Sequence, residues 1–280
     1  MNLRGLARAA RRRPLGALGG FVVLGLVLVA CLAPQLASHP PKDAAFPRHV
    51  APGTQFRMGT DHLGRDVLSR VIWGARLSLY VGFTSVAVGI TLGLLWGIFT
   101  AYAGGLADGI TQRIVDVLMA IPPIILALAL MAVLGPSIDN VVYAIVILLA
   151  PTAARTIRSV VLGIKTTLYI EAALALGCSH ARVVIRHVLP NVLPMYVVLL
   201  TVNVGYAIMA EAALSFLGLG APPDEPSWGG MLSAATRAIE TAPWVMLFPG
   251  MAISLAVFGF CLLGDAFRDV TDPRLRQGLG

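Results

Sequence analysis

Few residues in this sequence could do covalent or metal chemistry, and they are widely separated. No two of the five histidines, at positions 39, 49, 62, 180 and 187, have the spacing that places metal ligands on one helical face. Asp61, Arg65 and Asp66 are close enough for acid–base chemistry, but salt bridges and helix capping are the commoner use of such side chains. We therefore expect no catalytic residue and no metal site.

ATP hydrolysis is not expected in this chain either. A phosphate-binding loop needs Gly-Lys-Ser or Gly-Lys-Thr after a glycine-rich turn. The chain has two lysines, Lys42 and Lys165, and Lys165-Thr166 follows Ile164 rather than a glycine. We expect the chain to hold no cofactor, and any ATP and Mg²⁺ that it depends on to be bound by partner subunits.

Composition predicts a membrane protein. Of the 280 residues, 57% are hydrophobic and 12% are charged, whereas a soluble domain carries about 25% charged residues. Such a chain cannot cover a water-facing surface with polar groups, which excludes a soluble enzyme. The net charge of +7 comes from basic residues scattered between apolar runs. Membrane lipid is therefore an expected partner, and nucleic acid is not.

Charge-free runs predict an all-α polytopic membrane protein with six transmembrane helices, each close to the length of about 20 residues that crosses a bilayer. The predicted spans are residues 15–36, 77–102, 117–134, 140–162, 191–210 and 242–264. The first is expected to be an uncleaved anchor helix rather than a signal peptide. Arg155 and Arg158 in the fourth span are expected to reach toward the lipid headgroups.

Two patterns inside the spans bear on mechanism. Gly89, Gly93 and Gly97 form a face of small residues on the second span, which favours close helix packing over the alternative of a tunnel lining. Proton-coupled transport needs ionisable groups near mid-membrane, and the acidic residues Asp116 and Glu211 are expected near span ends. A stand-alone secondary carrier or channel is therefore the weaker alternative.

The distribution of Lys and Arg predicts that both termini are cytoplasmic. In that orientation the cytoplasmic segments hold 14 basic residues and the outside segments hold 7. Six of those 7 lie in the first outside loop, which is an exception to the rule that Lys and Arg are enriched in cytoplasmic segments. The predicted organisation is a tail at 1–14, a first helix at 15–36, an outside loop at 37–75, a five-helix unit at 76–264 and a tail at 265–280.

The cytoplasmic loop 163–190 carries the most informative pattern. Good helix formers precede Gly177, which can end a helix in the left-handed conformation, and Ser179 can cap a second short helix. Pro190 suits the first turn of the fifth span.

One face of the first short helix is small and apolar. It is formed by Ile170, Ala173, Leu174 and Gly177, which share helical spacing. An apolar face in cytoplasmic water suits docking into a groove on another protein. A helix that lies on the membrane is the alternative.

Four stretches resemble one family. Glu171-Ala172-Ala173, then Gly177 after three residues, then Leu189-Pro190 after eleven more, resembles the EAA loop of binding-protein-dependent ABC importer permeases, and the sequence around His187 resembles its peptide-importer version. The outside-loop stretch 59–70 resembles the C-type permease subunit of dipeptide, oligopeptide and nickel importers. The stretches 213–220 and 265–274 also resemble this type of permease subunit.

The resemblance implies a type I ABC importer permease fold, a five-helix core preceded by an N-terminal helix, in the bacterial cytoplasmic (inner) membrane. It implies a sister permease subunit, two cytoplasmic ATP-binding subunits and an extracytoplasmic solute-binding protein. The function implied is translocation of di- or oligopeptides, driven by ATP hydrolysis in the partners, and nickel or another small solute is the alternative within the family.

The resemblance also implies site residues. The EAA loop corresponds to a coupling helix seated in a groove of the ATPase, and the residues implied are Glu171, Ala172, Ala173, Leu174, Gly177, His187, Leu189 and Pro190. The family signature in the outside loop comprises Gly59, Thr60, Asp61, Gly64, Arg65 and Asp66. In the second outside loop, 214–241, a proline-rich turn is expected to carry an interfacial aromatic, Trp228, and the candidate contacts for the binding protein are Pro223, Asp224, Glu225 and Trp228.

Overall fold

The computed structural model of the chain describes residues 14–271, so the basic N-terminal tail and the end of the C-terminal tail lie outside the described residues. Within that range the regular elements are helical, and the one strand-like feature is an isolated bridge between Thr60 and Asp66. The α-helices are α1 (Pro14–Cys31), α2 (Ala33–Leu36), α3 (Val67–Ala103), α4 (Gly105–Ala120), α5 (Pro123–Leu134), α6 (Ile138–Lys165), α7 (Leu168–Ala175), α8 (His180–Val183), α9 (Leu189–Phe216), α10 (Trp228–Ala235) and α11 (Trp244–Thr271).

Five helices of the described range are long and apolar enough to cross a membrane. They are α1, α3, α6, α11 and the run from His180 to Phe216 that contains α9. The third predicted span, 117–134, is not one continuous helix, because α4 and α5 meet at an angle of 94°. Pro122 and Pro123 cause the break, since neither has an N–H to continue the ladder of α4 and Ile121 before them is extended.

The expectation for the two arginines of α6 is also corrected. Arg158 makes two hydrogen bonds to Asp108 of α4, at 2.7 and 2.6 Å, and Arg155 pairs with Asp116 of the same helix. Neighbouring carboxylates, rather than lipid headgroups, therefore compensate these charges within the described residues.

Glu211 lies in the last two turns of α9, close to the span end where it is expected, but its side chain is enclosed by protein. Helix α9 continues to Phe216, and the Glu211 side chain is buried in the helix bundle. The Ser78 hydroxyl donates to one carboxylate oxygen at 2.9 Å and the Ser215 hydroxyl to the other at 2.7 Å. These two bonds offset part of the cost of burying the group.

The glycine face on α3 packs directly against α6. A Cβ atom at Gly93 would lie 2.7 Å from the carbonyl oxygen of Ala150, and one at Gly97 would lie 2.6 Å from that of Ala154. Only hydrogen at these positions allows the two backbones to approach so closely. The packing interpretation is therefore correct, and the glycines are covered by α6 rather than open to a tunnel.

The first prediction concerns this packing. We expect Gly93→Ala to destabilise the bundle by about 1–3 kcal/mol, because the new methyl group would overlap the backbone of α6. Gly163→Ala is the matched control, since Gly163 lies on α6 and a methyl group there would have no neighbouring atom within 4 Å. Thermal unfolding of the purified protein in detergent should show a lower midpoint for Gly93→Ala alone. Equal midpoints for both variants would contradict close packing at Gly93.

Candidate functional site

The segment between α6 and α9, which is predicted to be cytoplasmic, has the helix–break–helix form that its sequence predicts. Helix α7 ends in a left-handed residue, Gly177, with φ of 82°. The N–H of Gly177 donates to the carbonyl of Leu174 at 2.9 Å and that of Cys178 to the carbonyl of Ala173 at 3.1 Å, which together form a Schellman motif. The Ser179 hydroxyl then accepts from the N–H of Arg182 and caps α8.

The face of α7 that points outward differs from the expected one. Ile170 is fully buried, in a cluster with residues of α3, α6 and α9, and Ala173 packs against the same cluster. A helix of eight residues cannot hold its place without such an anchor. The residues left exposed on α7 include Leu168, Glu171, Ala172, Leu174 and Ala175, with Leu176 beside them at 86% exposure. Of the predicted face, Leu174 and Gly177 are therefore exposed, and Ile170 and Ala173 are turned toward the bundle.

The segment is tied to the ends of the surrounding helices by polar contacts. Lys165 donates to the last carbonyls of α3, those of Ala101 and Tyr102, at 3.0 and 3.3 Å. The Tyr102 hydroxyl lies 3.2 Å from Nδ1 of His180 in α8. Asn191 in the first turn of α9 donates to the carbonyl of His187 at 2.6 Å. A displacement of α7 and α8 would therefore be passed to α3, α6 and α9.

The second half of the sequence motif forms the start of α9. His187 lies in a π-helical turn, Val184–Val188, with its ring centroid 6.2 Å from that of Tyr169. Leu189 and Pro190 occupy the first turn of α9, as predicted for Pro190. Of the implied coupling residues, Glu171, Ala172, Leu174, Gly177 and Pro190 are exposed, and Ala173, His187 and Leu189 are partly buried.

The loop before α3, which is predicted to lie outside, is a compact polar structure that leads into this helix. Asp61 accepts from Nε of Arg65 at 2.7 Å and from the backbone N–H groups of Leu63 and Arg65. Asp66 caps α3 by accepting from the N–H and the hydroxyl of Ser69. Thr60 donates to the carbonyl of Pro47 at 2.7 Å. These side chains serve structure, as expected from the sequence.

The two glycines of this signature are required by the local backbone. Gly59 and Gly64 have φ of 75° and 78°, in the left-handed region. A Cβ atom at Gly64 would overlap the carbonyl of Phe46, and one at Gly59 would lie 2.6 Å from the indole nitrogen of Trp244. The loop is therefore folded against itself and against the start of α11.

The second outside loop corrects one expectation. Trp228 is not an interfacial aromatic, because only 1% of its surface is exposed and its Nε1 donates to the carbonyl of Val71 at 2.9 Å. It packs against Gly74 of α3, so within this chain it has no surface to offer a binding protein. Pro223 and Asp224 are exposed, and Glu225 pairs with Lys42 of the first outside loop at 3.3 Å.

No set of three or more His, Cys, Asp or Glu side chains converges as a metal site anywhere in residues 14–271. The candidate site is thus mechanical rather than chemical. An exposed short helix is fixed to three membrane helices on one side of the bundle, and two interlocked loops cover the opposite ends of α3, α9 and α11.

The chain belongs to a family of membrane transport subunits. Residues 89–277 match the family described as the binding-protein-dependent transport system inner membrane component. Among solved structures, the inward-facing methionine ABC transporter MetNI has a similar fold, with a TM-score of 0.60 over 73% of this chain and 97% of that one, at 20% identity. The chain is therefore a permease component of a transport system and an integral protein of the inner membrane, not an enzyme.

Three named permease proteins are similar to this chain over nearly its whole length. A dipeptide transport system permease protein of Alkalihalophilus pseudofirmus is 39% identical over 95% of this chain and 88% of its own. A putative peptide transport system permease protein of Brucella suis is 40% identical over 96% and 91%. A glutathione transport system permease protein of Escherichia coli O1:K1 is 40% identical over 96% and 89%.

The second prediction concerns the outside loop and pH. Burial acts to raise the pKa of the Asp61 carboxyl, but the hydrogen bonds and positive charge of Arg65 together bring it below the usual value. The stabilisation is therefore complete above the unfolded-state pKa, about 3.9, and is lost as pH falls through the lower folded-state value. Tryptophan fluorescence should report the loss, because Trp244 contacts the loop at Thr60.

Asp61→Asn should weaken the loop already at neutral pH, by about 3–5 kcal/mol, because it leaves the buried Arg65 without its counter-charge. Asp43→Asn is the control and should behave as wild type, because it removes a carboxylate charge in the same loop but keeps an oxygen that can accept from the N–H of Ala45. A wild-type acid transition that persists unchanged in Asp61→Asn would show that another carboxylate is responsible.

Proposed function

We propose that this chain is one of the membrane-spanning subunits of an ABC importer for di- or oligopeptides. Family membership supports the transport role, and the names of relatives that match over nearly the full length support the peptide substrate. The observation that carries the mechanism is the exposed α7, which is anchored through Ile170 and follows directly on α6, whose last residue Lys165 bonds to the end of α3.

The proposed assembly pairs this chain with a sister permease. Two ATP-binding subunits on the cytoplasmic side would bind ATP and Mg²⁺, and a solute-binding protein would deliver the peptide from outside. The face Leu168, Glu171, Ala172 and Ala175 would rest in a groove of one ATP-binding subunit. Its two alanines let a partner surface approach closely, and Leu168 adds apolar area to bury.

The proposed orientation places α7 in the cytoplasm and both termini on that side. It rests on the excess of Lys and Arg in the segments assigned to the inside. The interlocked outside loops then face the binding protein, and their exposed residues Pro223 and Asp224 are the proposed contacts.

The third prediction tests the function directly. The chain should be reconstituted in proteoliposomes with its sister permease, ATP-binding subunits and binding protein. We expect ATP-dependent uptake of radiolabelled Ala-Ala, and no ATP hydrolysis by the purified chain alone, because no phosphate-binding loop is present in its sequence. Uptake of Ni²⁺ without uptake of any di- or oligopeptide would contradict the proposed substrate, and hydrolysis by the chain alone would contradict the division of labour.

The fourth prediction concerns Gly177. We expect Gly177→Leu to abolish uptake while membrane levels stay normal, because a left-handed leucine costs about 1–2 kcal/mol of strain at the end of the coupling helix and places bulk at the proposed interface. No atom of this chain lies within 4 Å of a Cβ there, so the bundle itself should be undisturbed.

Gly177→Asn separates the two causes. Asparagine tolerates the left-handed conformation, so it removes most of the strain and keeps some of the bulk. Uptake restored by asparagine would assign the defect to backbone strain, and uptake lost in both variants would assign it to contact with the ATP-binding subunit. Full uptake by Gly177→Leu would refute the coupling role. Co-purification of the ATP-binding subunit should be measured beside uptake.

A further inference from the structure

Helix α6 presents a polar face near the middle of its cytoplasmic half. Thr152, Arg155 and Ser159 are exposed on that face at spacings of three and four residues, although all of them lie within a membrane-spanning helix. The two hydroxyls donate to carbonyls of their own helix, but the guanidinium of Arg155 requires a polar neighbour. Arg155 lies roughly 15 Å before the helix end at Lys165, so it is not a terminal residue.

The two ion pairs between α4 and α6 differ in kind. Arg158 donates two hydrogen bonds to Asp108, one to each carboxylate oxygen. The Arg158 side chain is 27% exposed and that of Asp108 is 19% exposed. Arg155 meets Asp116 through a single nitrogen and a single oxygen, and the side chains are 44% and 54% exposed. Within residues 14–271, the other nitrogens of Arg155 and the second oxygen of Asp116 have no partner. The first pair is a closed clamp, and the second retains unused donors and an unused acceptor.

The half-exposed pair lies next to the break in the third span. Asp116 precedes the bend at Ile121 by little more than one turn, and Pro123 at the start of α5 lies beside Pro151 and Thr152 of α6 around one small cavity. Proline cannot supply backbone donors at this bend. Irregular backbone at membrane depth is tolerated only where protein buries it or where it borders a water-filled cavity.

From this geometry we propose that Asp116 and Arg155 line the translocation passage and bind the charged groups of the peptide as it crosses, an inference that rests on the proposed peptide function. A peptide in water carries an ammonium and a carboxylate, and often charged side chains. Arg155 would donate to a peptide carboxylate and Asp116 would accept from an ammonium. Each new ion pair would replace part of the resident one, so that a charged substrate would pass without leaving an uncompensated charge.

The test is a ratio of uptake rates. Proteoliposomes of the complete complex are supplied with radiolabelled Ala-Glu or Ala-Lys, and the ratio of the two rates is compared between wild type and variant. Because the same binding protein serves every variant, its own selection cancels in the comparison. Arg155→Gln should shift the ratio toward Ala-Lys and Asp116→Asn toward Ala-Glu, each by about two- to fivefold for an exposed charge contact.

Arg158→Gln and Asp108→Asn are the matched controls, since they remove the same charges from the closed clamp between the same two helices. They are expected to lower both rates together and leave the ratio unchanged. Ratios that stay at the wild-type value in both Arg155→Gln and Asp116→Asn, with Ala-Ala uptake intact in wild type, would overturn this inference alone. Absence of peptide uptake by the wild-type complex would instead overturn the proposed function.

A second measurement leaves the ion pair intact, in case the charge variants do not assemble. The native cysteines Cys31, Cys178 and Cys261 are replaced by serine, and Ser159→Cys is labelled with a charged methanethiosulfonate in the assembled complex. Ser254→Cys on α11 is the control, because Ser254 is equally an exposed serine bonded to its own helix. Labelling of Ser159→Cys should be about tenfold faster or more, since the reactive thiolate forms in water and not in lipid.

Binding protein loaded with Ala-Ala, together with ATP, should slow the labelling of Ser159→Cys. Slow labelling at both positions would show that the polar face of α6 is covered by lipid or by the sister permease, and the inference would then be wrong. Fast labelling that peptide and ATP leave unchanged would show a water-filled space that the substrate does not enter, which also overturns it.

Discussion

The constraint on which this structure depends is that polar groups inside a membrane must find their partners within the protein. Several polar groups in the membrane helices have specific hydrogen-bond partners. Glu211 receives two serine hydroxyls, Arg158 receives a bidentate carboxylate, and the last carbonyls of α3 receive the ammonium of Lys165. At the bend, Pro122 and Pro123 have no N–H to donate, and the half-exposed Asp116–Arg155 pair lies near it.

Local chemistry made some features predictable from sequence. The end of α7 at Gly177 and the cap at Ser179 follow from residue preferences within a few positions, and both are present. The length of the apolar runs predicts the spans but not the break at Pro122-Pro123, because a bent pair of helices is as apolar as a straight helix. The two prolines were the available signal, since consecutive prolines rarely lie within a continuous helix.

Other features depend on tertiary contacts and could not be read from spacing. The partner of Arg155 is 39 residues away in sequence, and nothing in the hydropathy of either helix indicates the pairing. Helical spacing predicts an apolar face on α7, but it does not determine whether that face contacts a partner protein or the helix bundle. Ile170 of this face is buried in the bundle. The sequence around Trp228 likewise does not show that its indole ring is buried. The ring packs against Gly74 of α3, where the absence of a side chain leaves room for it.

Helix α6 links the two proposed sites in one rigid element. It carries Arg155 on its polar face and continues, after the two residues Thr166 and Thr167, into α7, whose exposed face is the proposed contact with the ATP-binding subunit. Leu168 follows Arg155 by only 13 residues, a rise of roughly 20 Å if the chain stayed helical. A rotation of α6 driven at α7 would therefore move Arg155 relative to Asp116, because α4 is joined to α6 by side chains and not by backbone. The bidentate Arg158–Asp108 pair lies one turn further along α6 and joins α4 to α6 more firmly than the Asp116–Arg155 pair, which is made by a single contact.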